Sequence, residues 1–123
     1  MARREDRVRL AHMLEYSCEA MAFVEGKDRT ALDSDRMLEL ALVRLVEIVG
    51  EAAARVTAET RAEHGQLPWP YITGMRNRLV HGYDAVDLDI LWKTVKEDLP
   101  ALVKLLKQIP ALDERWRVDD DNN

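Results

Sequence analysis

The sequence predicts an all-α protein, an up-down four-helix bundle whose last helix is kinked by a proline. Two observations carry most of this. Apolar residues recur at alternating spacings of four and three along most of the 123 residues, which gives each helix one stripe to bury. Alternation with a period of two is absent and the β-branched residues are scattered, so no strand competes.

The elements follow in order. Leu10, Leu14, Ser17, Met21 and Val24 form the first stripe, and Gly26 ends that helix. The second helix is expected over residues 30–56. Thr30 with Asp33 three residues on reads as its capping box, and Leu38, Leu42, Leu45, Val49, Ala52 and Val56 make its stripe. Gly50 inside it costs roughly 0.5–1 kcal/mol relative to Ala, which suggests close approach of another helix there. Thr57 caps a short turn that ends near Gly65. In the third helix Pro70 suits the first turn, Ile72, Met75 and Leu79 are the buried stripe, and Gly82 terminates it. Asp87 caps the fourth helix, with Val86 and Leu91 as a hydrophobic staple. Its stripe runs through Leu88, Leu91, Val95, Leu99, Leu102, Leu105 or Leu106, and Ile109. Pro100 lies inside this run and must break a backbone hydrogen bond; Pro110 ends the helix.

Length and composition fit one domain, residues 1–112, followed by a polar acidic tail, residues 113–123. The net charge of −5 argues against a protein that coats nucleic acid non-specifically, yet leaves room for a local basic site. The single cysteine, Cys18, rules out a disulfide within the chain and reads as a small core residue. No apolar run approaches the ~20 residues of a membrane span, and MARREDRVRL lacks the apolar middle of a secretory signal. The expected location is the cytoplasm. His12, His64 and His81 lie far apart, with no H-E-x-x-H or Cys/His cluster, and the scattered glycines make no phosphate loop. No metal or other cofactor is expected. His12 reads as a surface or interface residue, His64 as a loop residue, Trp69 as a hydrophobic plug, and Trp92 as core or interface.

The densest chemistry lies in RNRLVHGYD, residues 76–84. On a helix, Ile72, Met75 and Leu79 cluster on one face with Arg76 at its shoulder. Asn77 and His81, four apart, share the opposite face, with Arg78 between them and the core. One reading is a wet helix end, where Arg and His favour the negative end of the dipole. The other is a site for RNA phosphodiester cleavage without metal. His exchanges protons near neutral pH, Arg holds phosphate through a planar fork, and Asn orients an imidazole or a sugar hydroxyl. One His cannot easily play both proton roles, so a homodimer that pairs two copies of Arg76 and His81 is a mechanistic expectation. Arg76 and His81 stand about 140° apart on an ideal helix. They converge only if a second copy or an unwound last turn brings them together.

RNRLVHGY carries R-x-x-x-x-H-x-Y, with Arg76, His81 and Tyr83 at the three positions. The pattern resembles the motif of the HEPN superfamily, specifically its HepT-like branch. The segments LVRLVEIVGEAAARV and LPWPYITGMRNRLVHGYDAVDLDILWKTVKEDLPALVKLL extend the resemblance over about residues 6 to 109. It implies a dimeric four-helix HEPN bundle acting as a metal-independent endoribonuclease on RNA, with Arg76 and His81 catalytic and Asn77 and Arg78 supporting. HepT-like proteins are commonly toxins of toxin–antitoxin modules. The implied partner is an MNT-type nucleotidyltransferase antitoxin that adenylylates the motif tyrosine, here Tyr83. The competing expectation is a non-catalytic helical dimerisation module that partners such a nucleotidyltransferase.

Overall fold

The computed structural model describes residues 4–109; the acidic tail and Pro110 lie outside them. Four helical stretches enclose one core, as the apolar spacing requires. The first is α1, Arg4–Phe23. Its stripe buries Leu10, Leu14, Ser17 and Val24 as expected, and Met13 and Ala20 widen it. Gly26, at φ +76°, reverses the chain after it. Asp6 is buried in the first turn of α1. Its carboxylate accepts from Thr57 Oγ1 and Thr60 Oγ1, both at 2.6 Å, and from the Thr57 amide at 3.1 Å.

The second stretch begins differently from expectation. Thr30 has helical dihedrals and makes no side-chain cap; its hydroxyl donates to Asp28 instead. The chain makes a four-residue turn, α2, Ala31–Ser34, and then breaks at Asp35, which is extended at φ −125° and ψ 92°. Asp35 is the working N-cap, accepting from the Leu38 amide at 3.0 Å, and α3 runs Arg36–Ala54. The capping box lost because Asp35 supplies the carboxylate just where the long apolar stripe starts. α3 packs against α1, α5 and α6. A Cβ at Gly50 would sit 3.3 Å from the Ile72 carbonyl oxygen, so this glycine does admit a neighbouring backbone. Thr57 caps α4, Ala58–Glu63, and Trp69 is buried with Nε1 donating to the His64 carbonyl at 3.1 Å.

The third stretch is α5, Trp69–Thr73, and α6, Met75–Leu79, separated at Gly74. A helix running to Gly82 is not what forms. After Leu79 the chain becomes extended, and β1, Val80–His81, pairs antiparallel with β2, Ala85–Val86. The expectation of no strand fails here for a local reason. Gly82 adopts φ +72°, which turns the chain tightly enough for two β-branched residues, Val80 and Val86, to stand opposite each other. The Asp87 amide then donates to the Leu79 carbonyl at 2.8 Å, closing the end of α6.

The fourth stretch opens on Asp87, whose carboxylate accepts from the Ile90 amide at 3.0 Å. It comprises α7, Leu88–Lys93, a π-helical turn over Thr94–Asp98, and α8, Leu99–Leu106. The break that Pro100 requires takes the form of this π turn. Proline has no N–H to give to the carbonyl four residues back, and the Leu99 amide already reaches five residues back to Thr94. No helix among the described residues is long and apolar enough to cross a membrane.

Candidate active site

Met75 and Leu79 are buried and pin α6 to the core, which turns Arg76, Asn77 and Arg78 outward. Their next neighbours leave the helix. His81 lies in β1, exposed, and Tyr83 stands at the hairpin tip with 96% of its surface open. Asn77 and His81 therefore share no helix face, because the last helical turn does not form. No hydrogen bond joins Arg76 to His81, and none holds the side chains of Asn77, His81 or Tyr83 among the described residues.

Arg76 has one partner on α3. Its Nε lies 3.6 Å from Glu47 Oε2, an ion pair too long for a hydrogen bond. Glu47 Oε1 accepts from Arg44 Nη1 at 2.6 Å, and Arg44 also lies 3.8 Å from Glu51. A chain of alternating charge thus runs Arg76–Glu47–Arg44–Glu51 along the outer surface of α3. Glu47 could not be found from sequence, since only the packing of α6 on α3 brings residues 47 and 76 together.

Arg78 does not join this group. Its guanidinium lies 3.7 Å from the centre of the Tyr71 ring and donates to the Tyr71 carbonyl at 2.6 Å. The Tyr71 hydroxyl donates to Asp98 in the π turn, which Lys93 Nζ also approaches at 3.2 Å. Burial first, and then the bond to Asp98, raise the Tyr71 hydroxyl above its ordinary pKa, and the same carboxylate raises the Lys93 ammonium. Arg78 thereby ties α6 back to α5 across Gly74, and Tyr71 carries the link to the last helical stretch. These contacts make Arg78 a brace for the motif helix rather than a group facing the hairpin.

An exposed imidazole, a guanidinium with one weak partner and a free amide are what phosphate-directed acid–base chemistry uses. The described residues hold no group of three or more His, Cys, Asp or Glu arranged to bind a metal ion. His12 lies against Tyr16, and His64 caps the end of α4.

Comparison with known proteins adds the following. A family model described as Ribonuclease HepT-like matches residues 13–109. A candidate RNase of Methanocaldococcus jannaschii is 33% identical over 104 residues, 85% of this chain and 95% of the relative. A candidate RNase of Caldanaerobacter subterraneus is 38% identical over 101 residues, 81% of this chain and 89% of the relative. A protein of Thermococcus cleftensis with the name of a probable ribonuclease HepT is 41% identical over 68 residues, 55% of this chain and 62% of the relative. No solved structure matches the chain.

Proposed function

The chain belongs to the HepT-like ribonuclease family, and from that premise we propose that it is an endoribonuclease whose reacting groups are Arg76 and His81. The observation that carries this reading is their display. Met75 and Leu79 hold the segment down, while the imidazole and guanidinium project from it free of strong partners. His81 takes the proton of a ribose 2′-hydroxyl, the oxygen attacks the adjacent phosphorus, and Arg76 neutralises the non-bridging oxygens. The 5′-oxygen leaves with a proton from a second imidazole. The products are a 2′,3′-cyclic phosphate and a 5′-hydroxyl, and no metal enters the scheme. Asn77, one residue from Arg76, orients the imidazole or the ribose.

The second imidazole comes from a second copy of the chain. Supporting this, Met37 and Leu40 on α3 are 80% and 51% exposed. They continue at 3-4-3 spacing into Arg44 and Glu47, so the apolar patch leads along one helix face to the partner of Arg76. Tyr83 is the regulatory residue in this reading. The module is a toxin–antitoxin pair in which an MNT-type nucleotidyltransferase attaches AMP. The Tyr83 oxygen attacks the α-phosphorus of ATP, and pyrophosphate leaves. Its 96% exposure suits an enzyme that must reach it, and the added negative group would repel RNA phosphates at the cleft.

Incubating the protein with RNA in chelator tests the first claim. Cleavage is expected, and His81→Ala and Arg76→Ala should each reduce it by about 10²–10⁴. Full activity in both variants would overturn the site. No cleavage by the parent protein, with retained binding to the nucleotidyltransferase, would favour the non-catalytic module. A mass increase of AMP on the peptide containing Tyr83 after co-expression with the transferase is the expected mark of regulation.

A further inference from the structure

A groove of about 620 Å³ runs between α1 and α3, and four arginines border it: Arg4 and Arg9 from α1, Arg44 from α3 and Arg55 at the C-terminal cap of α3. His12 and Tyr16 form its wall, their rings 5.8 Å apart and tilted by 59°. We infer that this groove is the track along which single-stranded RNA reaches the motif, its phosphates on the arginines and a base against the His12–Tyr16 pair. The inference rests on the ribonuclease reading above and extends it to residues outside the motif.

Four features point to RNA. The cations are all arginine, whose planar fork suits phosphate oxygens. With Glu5 and Glu51 as the acids among the lining residues, the groove carries a local surplus of positive charge in a chain whose net charge is −5. The groove is also linked to the motif by an ion-pair chain, because Arg44 on its border shares Glu47 with Arg76. Adjacent ring faces supply a sequence-tolerant stacking surface, the usual companion of a cationic track for single strands. A second copy of the chain fits poorly here. A two-fold contact would set the same cationic border against itself.

The test is fluorescence anisotropy with labelled single-stranded RNA in the His81→Ala background, at several salt concentrations. Affinity should rise with length from 4 to 12 nucleotides, on the view that each phosphate contact releases counterions as roughly 0.7 of a unit of salt slope. The double variant Arg4→Gln/Arg55→Gln should weaken binding of the longer RNA by about tenfold and make the salt slope shallower by about 1.4. Lys104→Gln/Lys107→Gln, the same charge change on the last helical stretch, should keep both. Equal losses in the two double variants, affinity independent of length, or a dimer that dissociates in the arginine variant would each overturn the track. The two readings fail separately. A parent protein that binds RNA through these arginines but does not cut sinks the ribonuclease reading alone. One that cuts long RNA equally well with and without Arg4 and Arg55 sinks the track alone.

Discussion

Asp6 is a carboxylate where a carboxylate is costly. Burial pushes its pKa up, but the bonds from Thr57 and Thr60 outweigh burial and hold the folded value below the usual carboxylate range. A folded pKa below the unfolded one stabilises the protein above the unfolded pKa of about 3.9. That contribution fades as pH falls through the folded pKa. Asp6→Ala should therefore cost about 2–3 kcal/mol near neutrality, and its melting temperature should depend less on acid than the parent's. An equal shift at pH 7 and pH 3 would refute the clamp. His81 and Arg76 should behave in the opposite way. They are exposed and nearly unpartnered, so their alanine variants should melt within about 0.5 kcal/mol of the parent while losing cleavage. The candidate motif residues stood out in the sequence because their types announce their chemistry. Asp6 did not, because an acid in MARREDRVRL looks solvated until Thr57, 51 residues away, closes on it.

Two glycines share one backbone conformation and differ in what they position. Gly26 sits at φ +76° and Gly82 at φ +72°, and an added Cβ would meet nothing within 4 Å at either. Alanine at each should cost about 1 kcal/mol through backbone strain alone. Only Gly82 sets the hairpin that carries His81 and Tyr83, so Gly82→Ala should lower kcat well beyond the loss expected from stability, and Gly26→Ala should leave it intact. Parallel kinetics and melts of the pair decide this, and equal kcat values would detach the hairpin from catalysis. The same scale explains what periodicity does and does not reveal. Stripes such as Leu38–Leu42–Leu45–Val49 located the helices because burial follows a period near 3.6. Their ends depended on single polar contacts, Asp35 rather than Thr30 at one start. A two-residue strand is too short to show any period. The proline signalled a break in the last helix, but not that a π turn would absorb it and place Asp98 beside Tyr71.

At the scale of the whole molecule the issue is how one imidazole per site does the work of two. Phosphodiester transfer needs a base for the attacking hydroxyl and an acid for the leaving oxygen, and each chain offers a single motif histidine. Among the described residues no hydrogen bond orients the Tyr83 hydroxyl, which is 96% exposed. The proposed pairing of two chains would resolve this, and the exposed Met37 and Leu40 lie on the face of α3 that leads to Glu47, the partner of Arg76. Two large apolar groups left in water on one helix face favour association. A self-complementary contact there would bring two motifs toward a common cleft. The double variant Met37→Asp/Leu40→Asp should then sediment as a monomer and lose RNA cleavage. Its melting temperature at low concentration should stay close to the parent's monomer value, since neither side chain is part of the core. Specific activity of the parent should also fall on dilution below the dimer dissociation constant. A monomeric variant that cuts at the parent's rate would show that one Arg76–His81 pair suffices.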